Sequence, residues 1–102
     1  MMEISEMQKQ SFEVLEAINK KLDIKHDPDK IFFSLVEEVG EVSRELSKKQ
    51  SGFRDEFDKE KLGFELADIL SRTAVIATDH GVDLSEAFEN KMKKIKERFE
   101  LR

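Results

Sequence analysis

Two pairs of acidic residues are spaced so that they could bind a divalent cation together. Glu38-Val-Gly-Glu41 and Glu65-Leu-Ala-Asp68 each place two carboxylates three residues apart. On an α-helix, residues three apart share a face, with their Cβ atoms about 5–6 Å apart. If the two helices pack antiparallel, four carboxylates converge, and all-oxygen ligands favour Mg²⁺, Mn²⁺ or Ca²⁺. The spacing predicts a metal site that keeps positions open for water and substrate phosphates.

An internal salt-bridge network is the alternative interpretation of these acids. At about 100° per residue, an arc about 60° wide contains Glu65, Asp68, Arg72 and Asp79. Arg72 alone leaves charge uncompensated among two or more acids, and a metal ion would resolve this better. A di-iron, oxygen-activating site is disfavoured, because neither His26 nor His80 follows a glutamate by three residues. We expect His26 to be a local hydrogen-bonding residue rather than a ligand.

Further charged residues border the predicted site. Three basic residues edge the apolar stripe of the last predicted helix: Lys91, Lys94 and Arg98. Cations for phosphate oxygens, beside carboxylates for a metal, indicate metal-assisted attack on a phosphoanhydride. Helical phase turns Glu37 away from the apolar face, so it would act at a distance or from a partner subunit. Glu45 shares the stripe of Glu38 and Glu41 and is a candidate extension of the site.

Periodicity and capping residues predict four helices joined by short loops, an all-α bundle. The predicted helices run over residues 5–22, 28–49 and 58–80, and a fourth begins at residue 83. Ser5 with Gln8 predicts a capping box for the first helix, and Asp27 predicts the N-cap of the second. Gly52 is expected to stop the second helix, and a fully buried third helix is expected because it is apolar on nearly every side.

Length and composition favour a single domain over residues 1–102 that forms an oligomer. Only 38% of the residues are apolar, so sharing core surface with other copies is plausible. The absence of cysteine excludes disulfides and a thiolate metal site. Because we find no apolar leader or membrane-spanning run, we expect a cytoplasmic protein without a membrane partner. The net charge of −5 argues against binding to a nucleic acid polymer.

Three segments together resemble one known family. These segments are Leu35-Val-Glu-Glu-Val-Gly-Glu41, Glu65-Leu-Ala-Asp68 and Gly81-Val-Asp-Leu-Ser-Glu-Ala87. They are similar to the MazG-type all-α nucleoside triphosphate pyrophosphohydrolases, whose signature is E-E-x-x-E followed by E-x-x-D. The resemblance extends over about residues 26–99. It implies a four-helix, bundle-like fold completed as a homodimer or homotetramer. It also implies cleavage of a nucleoside or deoxynucleoside triphosphate into the monophosphate and pyrophosphate, which clears nucleotides from the cellular pool.

The same resemblance implies roles for individual residues. The Mg²⁺ ligands would be Glu38, Glu41, Glu65 and Asp68. Mn²⁺ is the alternative ion. The residues that bind substrate phosphates would be Lys91, Lys94 and Arg98. Either Glu41 or Glu37 would orient the attacking water, and the sequence does not decide between them.

Base preference is left open by a partial match near the start of the second helix. His26-Asp-Pro28 is similar to the H-x-P-x-N opening of the dCTP-cleaving branch, but Lys30 stands in place of the asparagine. The chain also has no tryptophan that could stack on a base. Five phenylalanines are candidates for the core, an interface or a base pocket: Phe32, Phe33, Phe53, Phe57 and Phe64.

The tail of the chain is also a partial match. Lys91-Met-Lys-Lys94 with Arg98-Phe99 is similar to the family's K-x-x-K-N-x-x-R-[FY] tail, with Ile95 in place of the asparagine. Three alternatives therefore stay open. Two of them are hydrolysis of phosphoribosyl-ATP and hydrolysis of dUTP by the same site. The third is that the chain is a non-catalytic helical oligomerisation module.

Overall fold

The computed structural model describes residues 1–50 and 57–102, which form four α-helices. The helices are α1 (Ile4–Leu22), α2 (Pro28–Gln50), α3 (Lys59–Asp79) and α4 (Leu84–Arg98). Within the described ranges all regular secondary structure is helical, which confirms the predicted all-α fold. The helix ends lie within one residue of the predicted ones. The predicted stop at Gly52 lies outside the described residues.

Aspartate side chains fix the starts of three helices, and one of these caps, Asp27, is predicted from the sequence. The Asp27 carboxylate accepts the backbone N–H of Asp29 at 3.0 Å, at the start of α2. Asp58 and Asp83 cap α3 and α4 in the same way. Each cap satisfies N–H groups that have no partner within their own helix. The beginnings of α2 and α3, which position the acidic pairs, are therefore set by local sequence.

The capping box predicted for α1 is wrong. Ser5 already lies inside the helix, and the residue that occupies the N-cap makes no side-chain hydrogen bond there. Gln8 instead reaches the turn between α3 and α4. Its Nε2 donates to Thr78 Oγ1 at 3.2 Å and to the carbonyl of Val82 at 2.8 Å. Its Oε1 accepts the N–H of Leu84 at 2.9 Å. Gln8 therefore forms hydrogen bonds with a turn that is distant in sequence rather than with the start of α1.

Helix α3 supplies the small apolar core. It packs against both α2 and α1, whereas α4 contacts α1. Among the described residues, the buried apolar side chains are Ala74, Val75 and Ala77. Closer to the start of α3, Leu66 and Leu70 stay about half exposed. The prediction of a fully buried α3 is therefore wrong for the single chain, because α1 and α2 cover only part of its surface.

The single chain exposes a large surface, and many large apolar side chains lie on it. Its accessible area is 8539 Å², whereas a folded monomer of this mass would expose about 6,000 Å². The radius of gyration is 16.5 Å, compared with about 13 Å for a compact chain of this length. Three of the predicted phenylalanines, Phe32, Phe33 and Phe64, are more than half exposed. Phe57 is half-buried beside Lys49, and Phe53 lies outside the described residues. Among the described helices, none combines the length and apolar character that crossing a bilayer requires.

Gly40, in the interior of α2, lies next to open space within the chain. Apart from the adjacent residues and the backbone of its own helix, a Cβ at this position would meet no atom of the described residues within 4 Å. We expect Gly40→Ala to raise the free energy of unfolding by about 1 kcal/mol, because alanine favours the helix over glycine by this amount. Thermal unfolding followed by circular dichroism should show a Tm higher by roughly 4–8 °C.

The control for this change is Gly81→Ala. Gly81 has a φ of +68°, so a Cβ there is strained and the variant should be less stable than the native protein. A lower Tm for Gly40→Ala would show that a second subunit comes close to Gly40.

Candidate active site

Helices α2 and α3 lie antiparallel, and one register places the predicted acids at facing positions. The facing pairs, in order along α2, are Ser34 with Arg72, Glu38 with Asp68, Glu41 with Glu65, and Glu45 with Lys61. We call the middle two pairs, Glu38, Glu41, Glu65 and Asp68, the acid cluster. The antiparallel packing assumed from the sequence spacing is thus present, and it places the four acids on the facing sides of these helices.

Two members of the acid cluster have buried oxygens without partners. Glu65 is only 6% exposed, and in the described part of the chain neither of its carboxylate oxygens has a hydrogen-bond partner. The side chain of Glu38 is 14% exposed, and its Oε2 also lacks a partner. Buried carboxylate oxygens are costly unless a donor or a cation satisfies them. These oxygens are therefore suited to a cation that the chain itself does not supply.

Arg72 is the counter-charge of one half of the acid cluster. Its Nη2 lies 3.7 Å from Glu38 Oε1, and its Nη1 lies 3.4 Å from Asp68 Oδ1. Its Nε donates to Ser34 Oγ, which fixes the guanidinium against α2. Among the described residues, Glu41 and Glu65 form no ion pair. The salt-bridge alternative thus accounts for half of the cluster and leaves the other half unbalanced.

The electrostatics of Glu38 reflect this crowding of carboxylates. Burial raises the pKa of the Glu38 carboxyl above its ordinary value of 4.5, and Arg72 opposes this rise. The nearby carboxylates of Glu41 and Asp68, with a hydrogen bond to Glu41, raise the pKa further. Clustered like charges in a partly buried site are typical of cation-binding and catalytic centres.

The donor chemistry of the acid cluster fits Mg²⁺, although the present rotamers do not form a coordination shell. In the described part of the chain, no group of three or more His, Asp or Glu side chains is arranged to hold a metal ion. Glu38 and Asp68 instead point toward Arg72. Four carboxylates, two of them with unpartnered buried oxygens, are still the hard oxygen ligands that Mg²⁺ prefers.

Arg72→Gln separates a metal site from a structural salt-bridge network. We expect this variant to lose about 1 kcal/mol of stability without metal, because its ion pairs to Glu38 and Asp68 are partly exposed. Mg²⁺ should restore most of the loss, since the ion would replace the guanidinium as counter-charge. Urea unfolding with and without Mg²⁺ measures both effects.

The matched control is Ser34→Ala, which removes a hydrogen bond to Arg72 but keeps both ion pairs. Its stability should respond to Mg²⁺ as the native protein does. A deficit in Arg72→Gln that Mg²⁺ leaves unchanged would favour the structural network.

Glu45, considered as an extension of the site, instead fixes the start of α3. It is 2% exposed, and its Oε1 accepts the backbone N–H of Asp58 at 2.8 Å. Its Oε2 accepts from Lys48 Nζ at 3.2 Å and lies 3.9 Å from Lys61 Nζ. The bond from Asp58 is the main reason why the pKa of Glu45 is lowered; burial opposes the shift, and the two lysines add to it. Glu45 is therefore already satisfied by the chain.

The remaining predicted site residues lie away from the acid cluster or at its edge. Glu37 is exposed, in agreement with the outward position expected for it, and so is Glu41 within the acid cluster. The three basic residues of α4, Lys91, Lys94 and Arg98, are also exposed. Within the described residues, no hydrogen bond or ion pair joins them to the acid cluster, and α4 contacts mainly α1. Their binding of phosphate stays a prediction.

His26 makes a hydrogen-bonded contact, as expected, but its partner is distant in sequence. Its Nε2 lies 2.8 and 2.9 Å from the two carboxylate oxygens of Asp79, at the end of α3. The ring of Phe12 packs edge-on against the imidazole, with 6.0 Å between the two ring centroids. Asp79, which shares the acidic stripe, is thus engaged outside the acid cluster. No local spacing signals this pairing across 53 positions.

Similarity to a family model decides which family the chain represents. Residues 26–101 match the MazG nucleotide pyrophosphohydrolase domain, about three quarters of the chain. The chain belongs to this family. No curated protein and no solved structure gave a significant match. All of the acid cluster lies within the MazG region, whereas α1 precedes it.

Proposed function

We propose that the chain is a Mg²⁺-dependent nucleotide pyrophosphohydrolase. It would hydrolyse a nucleoside or deoxynucleoside triphosphate to the monophosphate and pyrophosphate. The observation that carries this proposal is the set of buried, unpartnered oxygens of Glu38 and Glu65. These oxygens lie inside the region that matches the MazG domain. An ion bound to them would relieve their desolvation cost and attract substrate phosphates.

Each residue of the acid cluster has a distinct part in this proposal. Glu38 and Glu65, which have buried oxygens, would hold the ion with Asp68 and Glu41 at the edges. Bound Mg²⁺ would supply a Lewis acid for phosphoryl oxygens and lower the pKa of a bound water. Glu41 is exposed beside Glu38, so its carboxylate is available to orient a water molecule. Glu37 remains the alternative for that role, acting on the site of a partner subunit.

The large apolar surface supports assembly into a homodimer or homotetramer. The excess accessible area is roughly 2,500 Å² over a compact monomer, which is enough for a stable interface. The exposed side chains include Val36 and Val39 on α2 and Leu70 on α3. A second copy packed on these helices would lie close to the acid cluster. Sedimentation velocity would measure the assembly state directly.

Pyrophosphate release from a panel of nucleotides tests the proposed function. The panel contains the common ribo- and deoxynucleoside triphosphates, dUTP and phosphoribosyl-ATP, each with Mg²⁺ and with EDTA. We expect release that requires Mg²⁺ and is lost in Asp68→Ala. The preferred substrate distinguishes general triphosphate cleavage from the dUTP and phosphoribosyl-ATP alternatives.

The non-catalytic alternative makes a different prediction. An oligomerisation module would gain no stability from Mg²⁺ with nucleotide. A ligand at 100 times its Kd should add about 2.7 kcal/mol. Absence of both release and stabilisation across the panel would therefore overturn the proposed function.

A further inference from the structure

A small cavity adjoins one end of the acid cluster. It has a volume of about 170 Å³, and its lining consists of Glu41, Arg44, Glu45, Lys61 and Glu65. Water in the liquid occupies about 30 Å³ per molecule, so the cavity has room for several waters or for phosphate oxygens. Glu65, with its buried and unpartnered oxygens, forms part of the wall. The cavity is therefore lined by acidic residues of the acid cluster together with cationic side chains.

Cations stand at both ends of the acid cluster, but they differ in their availability. At one end, Arg72 is engaged by Ser34, Glu38 and Asp68. At the other end, Arg44 makes no hydrogen bond or ion pair within the described residues. Lys61 has a single long contact to Glu45 at 3.9 Å, and its side chain is 59% exposed. Of these three cations beside the acid cluster, the two that line the cavity are thus the ones available to bind an anion.

The acids in the wall restrict which anion can enter. Glu41 and Glu65 would repel a free phosphate, so an anion could approach only together with a cation that neutralises them. Glu45 adds little repulsion, because its oxygens already accept hydrogen bonds from Asp58 and Lys48. A phosphate chain bridged by a divalent cation satisfies both requirements. Its oxygens would meet the planar guanidinium of Arg44, which suits bidentate contacts with phosphate.

We infer that this cavity binds the two terminal phosphates of the substrate, the part that leaves as pyrophosphate, through Arg44 and Lys61. The inference rests on the proposed function and adds the direction in which the triphosphate lies. The terminal phosphates would point toward the end of α2 and the start of α3. The nucleoside would then lie toward Arg72 and the beginning of α2.

Calorimetric titration with inorganic pyrophosphate tests this subsite without any turnover. We expect the native protein to bind pyrophosphate with Mg²⁺ and not with EDTA. The double variant Arg44→Gln/Lys61→Gln should bind at least about tenfold more weakly, as expected when charge-assisted hydrogen bonds are removed. Lys59→Gln removes one positive charge, as each single substitution does, but Lys59 lies in the first turn of α3 outside the cavity lining. This control should bind pyrophosphate within about twofold of the native protein.

The outcomes separate this inference from the proposed function. Arg44→Gln alone guards against misfolding, because Arg44 has no hydrogen bond or ion pair to lose among residues 1–50 and 57–102. If the native protein cleaves nucleotides but Arg44→Gln and the double variant bind pyrophosphate normally, the subsite is wrong and the function stands. Binding that persists with EDTA, or that is lost only in Lys91→Gln/Lys94→Gln, would also overturn the subsite. Pyrophosphate binding that depends on Mg²⁺ and Arg44, without any turnover, would support the subsite and contradict the function.

Discussion

Glu65→Gln is expected to lower the rate of nucleotide hydrolysis by at least about 100-fold, while the protein stays folded. The substitution keeps the shape of the side chain and removes the negative charge that would bind the metal ion. Metal stabilisation of a developing charge is worth several kcal/mol, and each 1.36 kcal/mol is about tenfold in rate. Pyrophosphate release under saturating Mg²⁺ measures the loss.

Stability distinguishes this effect from damage to the fold. Glu65 is buried without a hydrogen-bond partner, and a neutral amide costs less to bury than a carboxylate. Without Mg²⁺, the Tm of Glu65→Gln should therefore equal or exceed that of the native protein. Glu60→Gln, an exposed change on the same helix, is the control and should keep full activity. An active Glu65→Gln enzyme would remove Glu65 from the metal site.

Glu45→Gln should have the opposite effect from Glu65→Gln. We expect a large loss of stability, because Glu45 lies outside the acid cluster and supports the fold. The variant weakens the bond to the N–H of Asp58 and removes the negative charge that Glu45 presents to Lys48 and Lys61. Hydrogen bonds to a charged acceptor are stronger than those to a neutral amide. We expect the Tm to fall by roughly 10 °C at neutral pH.

The pH dependence of this loss follows from the lowered pKa of Glu45. A carboxyl whose pKa is lower in the folded state than in the unfolded state stabilises the fold at pH values above its unfolded pKa, which is near 4.5 for Glu45. That contribution disappears as the pH falls through the lowered folded pKa. The stability gap between native protein and Glu45→Gln should thus be widest near neutrality and shrink below about pH 4. Urea unfolding across this range measures it, and a gap independent of pH would mean that the Glu45 charge is not the cause.

Local signals were sufficient to predict the helices and the facing acids. Aspartate caps such as Asp27 and Asp58 act within three residues, so they can be recognised without knowledge of the fold. The pairs Glu38–Glu41 and Glu65–Asp68 follow from helical spacing together with one assumption, the antiparallel packing of α2 and α3.

Contacts between distant residues could not be predicted in this way. Glu45 shares the helical phase of Glu41, and only the position of the Asp58 backbone shows that its carboxylate is satisfied. Gln8 fits a capping pattern, yet a turn more than 70 residues away offers it more hydrogen bonds. The apolar pattern of α3 likewise indicates that the helix is buried, but it does not indicate which other helices or subunits cover it.

The hydrogen bonds of Gln8 have a consequence for where this protein can be cut. The MazG match begins at residue 26, so an expression fragment designed on that match would omit α1. Such a fragment would uncover the face of α3 on which α1 packs. It would also leave the turn that orients α4 without its bonds from Gln8 to Val82 and Leu84. The region that matches the family is therefore shorter than the region needed to hold its helices in place, because that second region also includes α1.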